Sequence, residues 1–323
     1  MLVTALGELL IDFTPAGVSA EGLPLFTCNP GGAPANMLAA VQKLGGDTAF
    51  IGMVGQDGFG DFLKQYLAGL GIHISGLIQT VEANTTLAFV QLDSNGDRSF
   101  SFYRNPGADQ LITRQDVNIQ LIDDSDVFHF GSLSLTGEAA RDATLYAVSH
   151  AKGRGKIISY DPNYRPLLWE NEETACYWMK EGAKLADIIK ISEEELPLLT
   201  ERHDSREAAE VLMESGCSLV LVSMGAKGAG FYTRTASGFV PTYEVKTVDT
   251  TGAGDSFLGA CLYRIRGKSL KEIQDMSAVE LADIVRYANA AGSITTTRSG
   301  AICAMPTEQE IEKCMQMPVL VLT

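Results

Sequence analysis

The sequence predicts an α/β fold built around a mainly parallel sheet. Short apolar runs, most of them rich in β-branched residues, alternate along the chain with segments whose apolar residues recur at helical spacing. Strands that alternate with helices in this way are typical of βαβ units joined by right-handed crossovers. The predicted strands are Leu2–Leu6, Ala49–Val54, Val127–Gly131, Lys156–Tyr160, Asp187–Ile191 and Ser218–Ser223.

Helices are predicted between these strands, so polar residues that follow the strands should collect at one edge of the sheet. The predicted helices are Ala35–Leu44, Phe59–Leu70, Glu138–Ala151, Glu172–Leu185 and Ala208–Met213. Open parallel sheets bind their ligands at the carboxyl ends of the strands. The polar or glycine-rich strand ends that fit this rule are Gly7-Glu8, Asp161-Pro162-Asn163, Ser192-Glu193 and Ser223-Met224-Gly225.

A second group of strands departs from that pattern. Thr85–Arg104 reads as two β runs joined by Asn95-Gly96, a pair typical of a type I′ hairpin turn. Leu10–Phe13 and Leu25–Cys28 are candidates for further short strands. We expect these segments, at about residues 9–28 and 85–105, to form a small layer that projects from the sheet as a lid, a dimer face or both.

The composition limits the class of partner. The chain has 323 residues, long enough for one large α/β domain or two ordinary ones, and its formal net charge is −15. A charge of this sign disfavours broad attraction to nucleic acid or to an anionic membrane, so neither is an expected partner. An anionic ligand would need local positive potential or a metal ion.

The cysteines and the amino end favour a cytoplasmic protein. The six cysteines form no Cys-x-x-Cys pair, which argues against a zinc ribbon and favours buried thiols in a reducing compartment. No basic leader precedes an apolar stretch, and no apolar run approaches the roughly 20 residues that span a bilayer. We therefore expect a cytoplasmic location without a membrane partner.

The most informative stretch is Asp249–Phe257, which reads Asp-Thr-Thr-Gly-Ala-Gly-Asp-Ser-Phe and leads into an apolar-periodic segment. This pattern predicts a loop that turns into a helix, with Gly252, Ala253 and Gly254 at the helix start. Free backbone N–H groups and the helix dipole favour an anion there. Asp255 could stay ionised beside them and serve as a base. A plain turn with a helix cap would fit the Gly-Ala-Gly-Asp part equally well.

Two segments near the amino end could hold a polar ligand. Asn29-Pro-Gly-Gly-Ala-Pro-Ala-Asn36 precedes a predicted helix, and its paired glycines, Gly31 and Gly32, would let a small ligand approach the backbone. Asn36 can both donate to and accept from hydroxyls. Asp12 follows an apolar strand and could accept two hydrogen bonds from neighbouring sugar hydroxyls. A turn plus a helix start, and a solvated turn residue, are the structural alternatives.

Two further strand ends offer charges. Asp161-Pro-Asn-Tyr-Arg165-Pro has its backbone fixed by two prolines and presents Arg165, although a rigid loop with a surface ion pair would fit as well. Lys190-Ile-Ser-Glu-Glu-Glu195 presents Lys190, which could reach a nucleotide oxygen, and Glu195, which could hold metal-bound water. An acidic helix start, favoured by the helix dipole alone, is the alternative for the second segment.

Common nucleotide and hydrolase signatures are missing. The Gly-Lys-Ser at Gly267 has Leu262 where a P-loop needs its first glycine, and no Gly-x-Gly-x-x-Gly follows the first strand. The sequence also lacks the Gly-x-Ser-x-Gly elbow. A P-loop enzyme and a nicotinamide-dependent oxidoreductase of the usual kind are thereby disfavoured.

Taken together, these segments resemble the ribokinase-like sugar kinases of the phosphofructokinase B family, over nearly the whole chain. Asp249–Phe257 is similar to the second signature of that family, and Gly31–Asn36 is similar to its substrate loop. Asp161–Trp169 resembles the version found in bacterial fructokinases. The resemblance implies one ribokinase-like domain over residues 1–323, a three-layer α/β/α sandwich with a mainly parallel sheet and a β-strand lid.

The resemblance also implies roles for individual residues. Asp255 would take the proton from the sugar hydroxyl, and the backbone N–H groups of Gly252, Ala253 and Gly254 would bind the moving γ-phosphoryl group. The expected sugar ligands are Asp12, Gly31, Gly32, Asn36, Arg165 and Arg104, the last closing over the sugar from the lid. The expected nucleotide ligands are Lys190, Ser223, Gly225, Gly254 and Asn289.

Metal ions are implied at two places. Glu195 would support Mg²⁺, bound with ATP, through water. A monovalent cation, K⁺, would be held next to the anion site by backbone or side-chain oxygens of Asp249, Thr251, Thr295, Arg298 and Gly300.

The implied activity is transfer of the γ-phosphoryl group of ATP to a sugar, with D-fructose giving fructose 6-phosphate as the expected reaction. An aminoimidazole riboside kinase, a ribokinase and a 2-keto-3-deoxygluconate kinase share the scaffold and remain alternatives. A catalytically silent sugar or nucleotide sensor is a further one, although a sensor has no need of the base Asp255. We expect a homodimer through the lid strands, because exposed edges invite partners.

Overall fold

The computed structural model describes residues 2–92 and 98–320. Its strands form two sheets, one large and one small. In chain order the strands are β1 (Leu2–Leu6), β2 (Leu10–Val18), β3 (Pro24–Gly31), β4 (Asp47–Gly55), β5 (His73–Thr80), β6 (Leu87–Leu92), β7 (Arg98–Tyr103), β8 (Val127–Gly131), β9 (Ile157–Asp161), β10 (Ile188–Ser192), β11 (Leu219–Ser223), β12 (Gly228–Tyr232) and β13 (Ser237–Pro241).

The α-helices connect most of the strands of the large sheet. They are α1 (Ala33–Lys43), α2 (Gly58–Gly69), α3 (Ile119–Asp123), α4 (Glu138–Gly153), α5 (Glu172–Ala183), α6 (Leu196–Thr200), α7 (Ser205–Glu214), α8 (Ala253–Arg264), α9 (Leu270–Gln274), α10 (Ala278–Thr295) and α11 (Glu308–Cys314). Among the described residues, none of these helices is long and apolar enough to cross a bilayer.

The large sheet has the strand order β13-β12-β11-β10-β9-β8-β1-β4-β5. The seven strands from β11 to β5 pair in parallel, and β12 and β13 add an antiparallel edge. Because parallel strands share one direction, the residues that follow them meet at a single edge of the sheet. The predicted parallel sheet is confirmed.

Helices cover both faces of this sheet, which makes the fold a three-layer sandwich. Successive residues of β11 alternate between two apolar clusters: Leu219 and Leu221 pack into the cluster that contains α1, α8 and α10, whereas Val220 and Val222 pack into the cluster that contains α4, α5 and α7. Strands buried on both faces read as continuous apolar runs, which is why their sequences were recognisable.

The small sheet has the order β3-β2-β6-β7 and forms the predicted lid. Its register places Asp12, Asn29, Ala88 and Phe102 on one face, and the next residues along each strand on the other. The second face carries an aromatic cluster of Phe13, Phe26, Phe89 and Tyr103. The predicted Asn95-Gly96 turn lies outside the described residues.

Most predicted elements of the large sheet are present with ends shifted by only a few residues, and β1 and β8 coincide with the prediction. The elements that were missed include β5, β12, β13, α3, α9, α10 and α11. Gly225–Lys227 forms a single 3-10 turn that joins β11 to the antiparallel strand β12.

Candidate active site

Two adjoining cavities lie at the carboxyl edge of the sheet. The larger, about 560 Å³, is bordered by the lid and contains Asp12, Gly32, Asn36 and Asp255 in its wall. The smaller, about 320 Å³, lies towards the antiparallel edge of the sheet. Gly254 lines both cavities, so the start of α8 separates them. Two ligands in these cavities would meet at that helix start.

The start of α8 has the geometry of an anion site. Gly252 is the N-cap and has a left-handed backbone with φ of 77°, which favours glycine. The Ala253 N–H donates weakly to the Thr250 carbonyl at 3.3 Å, so it is partly engaged. The N–H of Gly254 belongs to the first helical turn and has no intrahelical acceptor. The predicted glycine turn is therefore present, with Gly254 as the donor that borders both cavities.

Asp255 is joined to the amino-terminal motif by a hydrogen bond. Asn36 Nδ2 donates to Asp255 Oδ2 at 2.8 Å, across 219 residues of sequence. Burial raises the pKa of Asp255 above its ordinary value, while the Asn36 hydrogen bond and the charges of Lys190 and Arg165 oppose the rise. The side chain is thus a fixed carboxylate, close to the helix start, that is more basic than an exposed aspartate.

Asp12 faces the larger cavity from β2, opposite the paired glycines. A Cβ at Gly31 would overlap the Asp12 carboxylate, and a Cβ at Gly32 would overlap the Glu8 carbonyl. The pKa of Asp12 is raised to about 7, mainly by burial; Arg165 opposes the rise, and the charges of Asp249 and Asp255 add to it. The two glycines therefore make room for a carboxyl group and for the backbone beneath it.

A buried cation lies beside the helix start. Lys190 Nζ donates to Asp161 Oδ2 at 2.9 Å, and a Cβ built on Gly254 would lie 3.0 Å from the same Nζ atom. Burial opposes the charge of Lys190, whereas Asp161 and Glu195 act to raise its pKa, with a net rise. Lys190 lines the larger cavity, and Arg165 lines it as well. Lys190 and Arg165 thus supply two cationic groups to a wall that also contains the carboxyl groups of Asp12 and Asp255.

Glu195 is held by the backbone. Its two carboxylate oxygens accept hydrogen bonds from the N–H groups of Tyr164 and Ser192, at 2.6 and 2.8 Å. These bonds tie the loop after β9 to the end of β10. The expected contact of Glu195 with metal-bound water stays a prediction, and the observed contacts make it a residue that positions the Arg165 loop.

Arg104 is bound by other residues of the protein. Its guanidinium pairs with Asp109 at 2.7 Å and also donates to Thr136 Oγ1 and the Leu133 carbonyl; the side chain is only 2% exposed. Arg104 is not among the residues that line the larger cavity, and its expected closing over the sugar stays a prediction. Phe102, two residues earlier on the inner face of the lid, lines the cavity instead.

The smaller cavity contains the predicted nucleotide residues of the antiparallel edge. Ser223, Gly225 and Asn289 line it, and Asn289 Nδ2 donates to the Val240 carbonyl at 2.9 Å. Its other lining residues include the apolar side chains of Val245, Phe257 and Leu320, which suit a flat aromatic base.

The residues predicted to hold K⁺ are brought together only in part. Asp249 accepts from the backbone N–H and the hydroxyl of Thr251, at 2.9 and 2.7 Å, and from the Gly300 N–H at 3.1 Å. The Thr295 hydroxyl donates to the Ala291 carbonyl within α10, and Arg298 pairs with Glu310. Asp249, Thr251 and Gly300 therefore form one cluster beside α8, while the other two side chains have different partners.

Several lining residues were not predicted. Glu8, Leu10, Phe102 and Leu133 line the larger cavity, and Leu320 lines the smaller one. Glu8 was visible in the sequence only as a polar strand end. The others have no local signal, because their place in the wall depends on the lid register or on a distant segment.

Comparison with known proteins agrees with this geometry. The family described as pfkB family carbohydrate kinase matches residues 2–308. The chain belongs to this family of carbohydrate kinases. Fructokinase-1 of Oryza sativa subsp. japonica is 45% identical to the kinase over 323 residues, which cover 98% of each protein. The family predicted from the signature at Asp249–Phe257 is thereby confirmed.

Solved structures share the fold of the kinase. A fructokinase from Xylella fastidiosa with bound ATP has a TM-score of 0.91 and 37% identity, and covers 98% of both chains. A fructokinase double mutant from Vibrio cholerae O395, in a form bound to fructose, ADP and potassium ion, has a TM-score of 0.87 and 32% identity, with 98% of both chains covered. The ribokinase-like sandwich with its lid is thus confirmed.

Proposed function

We propose that this kinase transfers the γ-phosphoryl group of ATP to D-fructose and forms fructose 6-phosphate. The observation that carries the proposal is the bond between Asn36 and Asp255, since it joins both signature segments at the boundary of two cavities. The fructokinases among its relatives support fructose as the sugar.

The geometry suggests a direct transfer. With fructose in the larger cavity, Asp255 accepts the proton of the attacking hydroxyl as its oxygen bonds to the γ-phosphorus. The bond between that phosphorus and the β–γ bridging oxygen breaks, and ADP leaves through the smaller cavity. The Gly254 N–H and the Lys190 ammonium lie where the transferred charge develops, and such preorganised donors supply most of the catalysis in phosphoryl transfer.

Magnesium would enter with the nucleotide as MgATP. Among the described residues, no group of three His, Cys, Asp or Glu side chains is arranged to hold a metal ion. The carboxylates near Gly254 are engaged, Asp161 with Lys190 and Glu195 with the backbone. We therefore propose that the phosphates hold Mg²⁺ and that Glu195 reaches it only through water.

Potassium, location and assembly complete the proposal. We propose that K⁺ binds beside Asp249, Thr251 and Gly300. A comparison of the kinase activity in potassium chloride with that in choline chloride tests this site.

Six free cysteines fit a cytoplasmic location, and the distribution of a tagged chain in cells tests it. We propose one domain and a homodimer through the lid, whose outer face exposes apolar side chains such as Tyr103 at 66%.

A panel of acceptors tests the proposed substrate. ADP release is measured with MgATP and fructose, ribose, aminoimidazole riboside or 2-keto-3-deoxygluconate, and the product is identified by phosphorus NMR. We expect the highest kcat/KM with fructose and phosphate on its C6 oxygen. A higher kcat/KM with another acceptor would replace fructose, and ADP release with none of them by folded protein would favour a sensor.

A further inference from the structure

Glu8 is a charged residue of the larger cavity wall without a role in the reaction described above. It follows β1 and is one of the residues that line the cavity, together with Asp12 and Asn36. The residue is only 3% exposed. A carboxyl group buried at a strand end is costly unless its oxygens have partners.

One oxygen of Glu8 has a structural partner. Oε1 accepts a hydrogen bond from the Ala33 N–H at 2.8 Å. This bond fixes the first residue of α1 directly after Gly32, whose φ of 115° is outside the range that side chains favour. Glu8 thus holds the glycine turn against the end of β1.

The other oxygen has none. Oε2 is buried, and no hydrogen-bond partner for it exists among residues 2–92 and 98–320. An unsatisfied buried polar atom costs about 1–3 kcal/mol, so a native site normally supplies a partner. The neighbouring buried carboxylate Asp109 shows the contrast, because Thr86 and Arg104 occupy both of its oxygens.

We propose that Glu8 Oε2 binds a hydroxyl of the sugar, so that Glu8 is a further specificity-determining residue of this kinase. The proposal rests on the proposed function and extends it. In this view one carboxyl group both positions the glycine turn and binds the sugar. Burial raises the pKa of Glu8 to about 7, so near neutral pH the group is present in protonated and ionised forms. The protonated form can donate to a hydroxyl oxygen, and both forms can accept from a hydroxyl.

A series of sugars that each lack one hydroxyl tests this contact. The series comprises 1-deoxyfructose, 3-deoxyfructose, 4-deoxyfructose and 2,5-anhydromannitol, compared with fructose by kcat/KM in the full-length protein. For wild type, we expect each analogue that lacks a bound hydroxyl to fall about 10- to 100-fold below fructose, the effect of a lost hydrogen bond to a charged or polar side chain. In Glu8→Ala, fructose should fall by a similar factor, and one of these analogues, the one that lacks the hydroxyl bound by Glu8, should fall no further.

Two variants separate recognition from folding. Asp187→Asn is the matched control, because Asp187 also accepts a backbone hydrogen bond, from the Ile158 N–H at 2.8 Å, and does not line the cavity; its kcat/KM ratios between sugars should equal those of wild type. Glu8→Gln keeps an oxygen for the Ala33 N–H and replaces the Oε2 atom with an amide NH2 group. If Glu8→Ala does not fold, as judged by thermal unfolding, the kcat/KM ratios between sugars measured for Glu8→Gln decide the question.

If every folded Glu8 variant lowers kcat/KM by the same factor for all sugars of the series, the proposal is overturned and Glu8 is a purely structural residue. Failure of the proposed function would look different, because wild type itself would then not phosphorylate fructose. In that case the deoxy analogues are made from the acceptor that wild type does phosphorylate. The kcat/KM ratios between those analogues and that acceptor are then compared in the same way. A change confined to one hydroxyl supports the proposal.

Discussion

At the Asp255 carboxylate, burial and hydrogen bonding act in opposite directions. Burial raises the pKa, and Asn36, Lys190 and Arg165 lower it. The balance is a base held in one orientation by Asn36 and stronger than an exposed aspartate. General bases are most effective when their pKa lies near the working pH, so this environment suits the removal of a hydroxyl proton.

At the residue scale, prediction worked where the chemistry is local. Gly252 and Gly254 could be assigned from sequence because glycines directly before an apolar-periodic segment are typical of a helix start, and the structure has that start. The partners of Arg104 could not be inferred from the sequence, because Asp109, Thr136 and Leu133 reach its guanidinium from other parts of the fold. The free oxygen of Glu8 is likewise a consequence of tertiary packing.

Gly31→Ala should weaken sugar binding selectively. The new Cβ overlaps the Asp12 carboxylate and must displace it, and overpacking of this kind costs about 1–3 kcal/mol, or about 5- to 150-fold in kcat/KM for fructose. The KM for ATP should be unchanged. Gly58→Ala is the matched control, since its Cβ would meet nothing within 4 Å and fructose kinetics should stay normal. Normal fructose kinetics in Gly31→Ala would argue against Asp12 as a sugar ligand.

The activity should depend on pH through the buried acids of the larger cavity. The pKa of Asp12 and that of Glu8 are each about 7, so Asp12 gains its charge as pH rises through neutrality. The ionised carboxylate accepts hydroxyl hydrogen bonds more strongly. We expect kcat/KM for fructose, measured at saturating MgATP, to rise between about pH 5.5 and 7.5 and then level off.

The same pKa values have the opposite effect on stability. The pKa values of Asp12 and Glu8 are raised above their ordinary values of 3.8 and 4.5. Between those ordinary values and about pH 7, the folded chain therefore holds more protons than the unfolded chain. The contribution of these groups to the free energy of unfolding therefore falls as pH rises through that window. Denaturant unfolding over the same pH range shows whether the protein stays folded. If the protein is folded and kcat/KM for fructose does not change with pH, the assignment of Asp12 as a sugar ligand is contradicted.

At the scale of elements, side chains alternate along the lid strands, so residues that face the cavity are separated from residues on the outer face. Its inner face presents Asp12 and Phe102 to the cavity, and its outer face gathers Phe13, Phe89 and Tyr103. The lid strands were predictable from β-rich runs. β5 was missed because its run is interrupted by polar residues and Gly76, and α10 because small residues such as Ala288 weaken its apolar stripe.

A short segment near residue 320 completes the smaller cavity and yields a test of nucleotide binding. Leu320 N–H donates to the Thr242 carbonyl at 2.8 Å, and Leu320 lines the cavity, whereas Val319 is 41% exposed. Leu320→Ala should raise the KM for ATP about 3- to 10-fold, in line with the loss of about 1 kcal/mol of apolar contact, without changing the KM for fructose. Val319→Ala should leave both unchanged. An unaltered KM for ATP in Leu320→Ala would argue that the base lies elsewhere.

At the scale of the whole molecule, the parallel sheet is what brings distant segments together. The carboxyl ends of its strands place the Asp161 and Lys190 segments beside α8, and the lid adds Asp12. This convergence was predictable from the βαβ pattern. The division into two cavities was not, because it depends on the way α8, α10 and the antiparallel edge pack.

The outer face of the lid should carry the dimer contact. Val18, Phe26 and Tyr103 are 70%, 41% and 66% exposed there, an apolar surface that a second copy could cover. In sedimentation equilibrium we expect a dimer for wild type and a shift to monomer for Phe26→Asp. Val279→Asp is the control, because Val279 is 72% exposed on α10, away from the lid. A monomeric wild type would rule out this assembly.

The most direct test of the account is the turnover of Asp255→Asn. Asparagine keeps the shape of the side chain and removes the base, so we predict a kcat about 10²- to 10⁴-fold below wild type, with the KM for fructose and the KM for ATP little changed and an unaltered unfolding temperature. A folded Asp255→Asn variant that retains near-normal kcat would contradict the claim that this carboxylate accepts the proton.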